Sequence, residues 1–137
     1  MNQAFQYRAH IQEIPQIRKD LEFLKEEWAI PKSEIRQILV IIEELFSNIV
    51  RYAFEDGEEH IIDIRLGKSE NEIEIEIIDD GLDFNPLEYQ LGPLADPATS
   101  DAGGMGLTLI RAFSSKISYE RFSEKNHLKI SKKVKSK

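Results

Sequence analysis

The 137-residue chain contains no cysteine. Disulfides, thiolate metal sites and cysteine nucleophiles are therefore excluded, and packing and hydrogen bonding must hold the fold. Long apolar runs are missing as well. The longest, Ile38 to Ile42, is five residues, against the roughly 20 that a membrane-spanning helix needs. The first ten residues, MNQAFQYRAH, lack the apolar centre of a secretion signal, so the cytoplasm is the expected compartment. Net positive charge is also lacking, since 18 Lys+Arg face 25 Asp+Glu to give −7. Six lysines lie in the last 13 residues, which hold no Asp or Glu, so the first 124 carry 12 − 25 = −13. Such a body repels a phosphate backbone, and direct nucleic-acid binding is disfavoured. The lysine-rich end reads as a solvated terminus.

What is present is ordinary for a globular protein: 41% hydrophobic and 31% charged residues. The length fits one domain, residues 1–137, able to bury about two-thirds of its unfolded surface. Phe5, Tyr7, Ala9 and Ile11 share one parity, which predicts a strand over 4–11. Pro15 suits a helix start, and Ile17, Leu21, Leu24 and Trp28 continue it at helical spacing. A second helix is expected from Ser33, read as its N-cap, to about Phe54. Ile62, Ile64, Leu66 and then Ile73, Ile75, Ile77 alternate with polar residues, predicting two antiparallel strands joined near Gly67 to Asn71. A loop-like stretch from Gly81 to Gly104 precedes a helix over Met105 to Ser115 and strands over 117–122 and 126–133. This order predicts an α+β fold, a two-layer sandwich of one mixed, mainly antiparallel sheet with helices on one face.

Three segments depart from plain core patterning. In the second helix, at about 100° per residue, Asn48 and Tyr52 stand about 40° and 80° from Glu44, at the border of the stripe of Ile35, Ile38, Ile42, Leu45, Phe46 and Ile49. Glu43 falls on the other side. This row is either a boundary pair bonded to solvent or a place to hold a hard cation and orient a hydroxyl. Next, Asp79 ends a strand with the inward parity of Ile73, Ile75 and Ile77, whereas Asp80 points out. A carboxylate aimed at an apolar interior needs a partner, from a turn or from a ligand amino group, and Gly81 lets backbone approach it. Finally, Gly103, Gly104 and Gly106 stand at the mouth of an apolar-periodic helix. They are either a flexible loop or a cradle of bare amides for phosphates. The lysine of a Walker loop is absent. Lys, Arg and His are also absent between Lys68 and Arg111, so a bound triphosphate would need a divalent metal, with Arg111 the nearest cation in the sequence.

Together and in this order, the segments resemble the GHKL (Bergerat-fold) ATPases, and within them the anti-sigma-factor serine kinases of the RsbW/SpoIIAB group. Glu44-x-x-x-Asn48 resembles the N box, Asp79-Asp80-Gly81 with Phe84-Asn85-Pro86 the G1 box, and Gly104-Met105-Gly106-Leu107 the G2 box. The resemblance implies ATP and Mg²⁺ as cofactors, Glu44 as general base and Asn48 as magnesium ligand. It implies Asp79 as acceptor of the adenine amino group with Gly81 beside it. Gly104, Met105, Gly106, Leu107 and Thr108 would line the nucleotide under a lid at 87–103. It further implies a serine/threonine kinase that phosphorylates an anti-anti-sigma (STAS-domain) protein and sequesters a sigma factor or analogous regulator. A homodimer is also implied, with the first helix and strand as one candidate surface. Two positions differ: Tyr52 stands where the group often has histidine, and Asp83 where broader members have a second glycine. Tyr52 keeps open an ATP-gated module that sequesters a partner without transferring phosphate. Gyrase-like, MutL-like and two-component relatives need further domains or a phosphorylatable histidine helix. His10, His60 and His127 have no such context and no ligand-like spacing.

Overall fold

The computed structural model describes residues 1–54, 56–85 and 103–134. In chain order the elements are β1 (Asn2–Arg8), a 3-10 turn (Ile11–Glu13), α1 (Ile14–Trp28), α2 (Lys32–Tyr52), β2 (Ile61–Lys68), β3 (Glu72–Asp79), α3 (Gly103–Phe113), β4 (Lys116–Phe122) and β5 (Lys125–Lys133). The strands form one sheet in the order β1-β2-β3-β5-β4, each neighbouring pair antiparallel. The α+β architecture follows from the sequence pattern as expected.

Directly opposed residues in a sheet share a face, so the register shows where the core lies. Ile64 faces Ile77, Ile77 faces Leu128 and Ile75 faces Ile130, and all are buried. The apolar stripes of the helices join them in one cluster: Ile17, Leu21, Leu24 and Trp28 from α1, and Ile35, Ile38, Ile42, Leu45, Phe46 and Ile49 from α2. On the other parity Glu76 lies 3.8 Å from Arg65 and 3.9 Å from Lys129, a cross-strand ladder on the outer face. Lys132 breaks the rule on the inner face, where it is buried against Glu34 of α2 at 2.7 Å, close in distance though off hydrogen-bond geometry.

Several boundaries differ from the sequence reading. β1 ends at Arg8 and Ile11 turns outward in the 3-10 segment, 41% exposed, so the alternation over 4–11 stops short. Ser33 is not the N-cap of α2. Pro31 takes that place, its carbonyl receiving the N–H groups of Glu34 and Ile35 at 3.0 Å each, with no side-chain cap. Proline fixes an extended residue ahead of the first turn, and Ser33 falls inside the helix. At the far end of α1, Ala29 closes the helix in the left-handed region at φ 52°. The last helix starts two residues earlier than expected, at Gly103.

Candidate functional site

Asp79 closes the inner column of β3, where its register partner on β5 is Asn126. Both are 2% exposed. Two donors converge on Asp79 Oδ1: the Gly81 N–H at 2.9 Å and Asn126 Nδ2 at 2.9 Å. Burial pushes the Asp79 carboxyl above the usual carboxylate range, against the opposing pull of those donors and of the nearby Arg121 charge. The preference for Asp79 over Asp80 rested on strand parity, and the placement agrees. Asp80 is exposed, with Oδ1 3.0 Å from His60 Nδ1.

Asn126 is the residue that the sequence reading missed. Its Nδ2 also donates to the Leu82 carbonyl at 2.7 Å, and its Oδ1 accepts from Arg121 Nη1 at 2.9 Å and from the Phe84 N–H at 3.4 Å. The Tyr119 hydroxyl stands 2.5 Å from that same oxygen and 2.9 Å from Asp83 Oδ1, and its single proton serves one acceptor at a time. Burial and the Asp83 carboxylate push the Tyr119 hydroxyl up to about 12, so it stays protonated at neutral pH. The signal for Asn126 was available, because it shares the parity of Leu128 and Ile130 and so points inward. Arg121 also enters here, donating to the Gly81 carbonyl at 3.1 Å. A cation at the Asp79 turn thus comes from β4, outside the stretch that ends at Arg111.

The turn after β3 is seated on the end of α2. A Cβ on Gly81 would lie 2.5 Å from the Ala53 carbonyl oxygen and 2.8 Å from the Ala53 Cβ, and the Leu82 N–H donates to that carbonyl at 2.8 Å. Only glycine allows this approach. One residue back, Tyr52 packs on Phe84 with ring centroids 5.9 Å apart. The Glu44, Asn48, Tyr52 row of α2 therefore leads to the Asp79–Phe84 segment. Asn48 is buried within the inner stripe, and Glu44 and Tyr52 are half-buried at its border. Glu43 points away, where Arg18 of α1 grips its Oε1 through Nε at 2.7 Å and Nη2 at 2.6 Å.

Gly104, Met105, Gly106 and Leu107 lie in the first turns of α3, so their backbone opens a helix as expected. Thr108 is exposed on the same helix. The lid expected at 87–103 lies outside the described residues, apart from its last residue.

Beside the Asp79 turn is a recess of about 440 Å³, lined by Phe54, Asp56, His60, Asp80, Leu82 and Arg121 among others. His60 spans it, with Nε2 2.8 Å from Asp56 Oδ1 and its ring stacked on Phe54 at 4.3 Å. Hydrogen bonding to Asp56, joined by that to Asp80, raises the His60 pKa, and the same bond lowers that of Asp56. A recess of similar size, about 460 Å³, crosses β1, β2, β3 and β5 around Arg65, Glu74, Glu76 and Lys129. Its lining holds none of the candidate site residues read from the sequence.

Comparison with known proteins adds a lineage to this geometry. The chain is 33% identical over 108 residues to the serine/threonine-protein kinase BtrW of Bordetella bronchiseptica, covering 77% of this chain and 73% of that protein. It is 27% identical to the serine-protein kinase RsbW of Bacillus subtilis, covering 66% and 59% of the two chains. With the anti-sigma F factor of Clostridium perfringens it shares 30% identity, covering 68% and 66%. Among solved structures, the SiaB-SiaC complex from Pseudomonas aeruginosa contains a similar fold, with a TM-score of 0.59 at 15% identity over 96% of this chain and 89% of that one. Residues 7–132 match the histidine kinase-like ATPase domain, and the chain belongs to that family.

Proposed function

We propose that this protein is a Mg-ATP-dependent serine/threonine protein kinase acting in the cytoplasm as an anti-sigma regulatory factor. It would phosphorylate an anti-anti-sigma (STAS-domain) protein and sequester a sigma factor or analogous regulator, working as a homodimer with residues 1–137 as one ATPase domain. The named activities of BtrW, RsbW and the anti-sigma F factor support this reading. The observation that carries it is the junction of Gly81 with Ala53, which sets the buried Asp79 turn against the helix bearing Glu44 and Asn48.

In this reading Asp79 accepts a hydrogen bond from the amino group of adenine. Gly81 keeps the wall thin there, and the backbone amides at Gly104, Met105, Gly106 and Leu107 face the phosphates, with Thr108 alongside. Asn48 offers an amide oxygen, a hard ligand of the kind magnesium takes beside phosphate oxygens and water. The ion would supply neutralisation of the phosphates, a need set by the acidic surroundings of Asp56, Asp79, Asp80 and Asp83. Glu44 takes the proton of the substrate hydroxyl as its oxygen bonds to the γ-phosphorus and ADP departs. Catalysis is then mainly positioning and charge stabilisation.

The test is transfer of labelled phosphate from ATP to a purified STAS-domain partner. Wild type should phosphorylate it, and Glu44→Ala should bind ATP yet lose about a hundredfold or more in transfer rate. Full-rate transfer by Glu44→Ala would remove the general-base role. One observation favours a second reading: Tyr52 packs on Phe84 where the group often has histidine. ATP binding that controls partner capture with no transfer at all would identify a gated binding module instead.

A further inference from the structure

We infer that Asn126 is the specificity-setting residue behind Asp79, holding it as a pure hydrogen-bond acceptor so that the site takes a purine with an amino group there over one with an oxo group. The inference rests on the nucleotide-binding reading above and goes beyond it, because Asn126 belongs to none of the three motifs.

The orientation of the Asn126 amide is forced by its neighbours. Nδ2 faces two acceptors, Asp79 Oδ1 at 2.9 Å and the Leu82 carbonyl at 2.7 Å. Oδ1 faces donors, Arg121 Nη1 at 2.9 Å and the Phe84 N–H at 3.4 Å, with the Tyr119 hydroxyl at 2.5 Å. Flipping the amide would set NH₂ against a guanidinium and oxygen against two oxygens, so Nδ2 always points at Asp79. The Gly81 N–H meets the same Asp79 oxygen at 2.9 Å. With two donors on Oδ1, that oxygen stays an acceptor, a proton could sit only on Oδ2, and both bonds favour the ionised carboxylate.

This matters because burial pushes Asp79 toward its protonated form, while the Asn126 and Gly81 donors pull the other way. A protonated acid donates, and a donor suits a purine 6-oxo group rather than a 6-amino group. Asn126 opposes that inversion. Replacing it by aspartate, nearly the same shape, would put a second carboxyl where an amide now donates to Asp79. Two such groups do not both stay ionised: the first proton bridges them, and a second, taken up as pH falls, sits on Asp79 Oδ2 and makes it a donor.

The experiment is equilibrium titration of the full chain with Mg-ATP and with Mg-inosine triphosphate, which differs in carrying oxo in place of the 6-amino group. Wild type is expected to prefer ATP by about tenfold or more. In Asn126→Asp the ATP/ITP ratio should fall toward one, and its loss on acidification should begin at a higher pH than in wild type. A thermal melt establishes that the variant is folded, and Asn126→Ala, which removes the donor without adding an acid, should lower the ratio if Asn126→Asp does not fold. A folded variant with the wild-type ratio at every pH overturns the inference and leaves the nucleotide-binding reading standing. So does a wild type that binds both nucleotides equally, with no variant needed. A wild type that binds neither overturns the reading itself, and the inference with it.

Discussion

Asp79 carries the account at the scale of single residues, because a 2% exposed carboxylate costs several kcal/mol unless it is held. Burial raises its pKa above the usual aspartate range, so nucleotide binding that needs the ionised form should fade as pH drops through that raised value, earlier than for an ordinary aspartate. The same shift has the opposite sign for folding. The ionised form is the disfavoured one in the folded state, so Asp79→Asn is expected to melt no lower than wild type at neutral pH. A clearly lower melting point would contradict the account. Gly81→Ala is expected to destabilise by about 1–3 kcal/mol, read by urea unfolding, since its Cβ meets backbone at 2.5 Å that cannot rotate away. The placements of Glu44 and Asp79 were legible in the sequence, because helix and strand periodicity separate each from its neighbouring acid. The reason for Gly81 was not, because its contact with Ala53 exists only once α2 and β3 are packed. Arg121 was not legible either: β4 is an edge strand with mostly exposed residues and offers little pattern to read.

Among the elements, the hairpin of β4 and β5 matters most, since it delivers Tyr119, Arg121 and Asn126 to Asp79. Its two turn residues, Ser123 at φ 53° and Glu124 at φ 60°, both sit in the left-handed region. That turn favours Asn-Gly, so Ser123→Asn with Glu124→Gly should raise stability by about 1 kcal/mol in denaturant unfolding and leave Asn126 in place. No gain would mean that the turn is not strained. The link between α2 and β2 is held to the Asp79 turn by His60, bonded to Asp56 and Asp80. The His60 pKa is raised above 6.5, so its contribution is complete below that value and is lost as pH rises through the raised one. The stability gap between wild type and His60→Ala should therefore shrink with increasing pH. The helices and strands themselves were largely legible from periodicity. Their ends were less so, as Pro31 shows by displacing Ser33 from the cap: a fixed φ and a free carbonyl outweigh a hydroxyl two residues later.

For the molecule as a whole, charge decides what can bind. The net charge is −7, and around the Asp79 turn Asp56, Asp80 and Asp83 are met by His60 and Arg121 among the described residues. A bare triphosphate is repelled by such a surface, so divalent-dependent binding is the expected behaviour. Among the described residues no helix is long and apolar enough to cross a membrane. The central claim is a nucleotide site built on Asp79 and the α2 row. Calorimetric titration of ATP into wild type and Asp79→Asn, with and without Mg²⁺, tests it most directly. Magnesium-dependent binding by wild type that disappears in a folded Asp79→Asn is the predicted result. Absence of binding by folded wild type, or undiminished binding by Asp79→Asn, would contradict it.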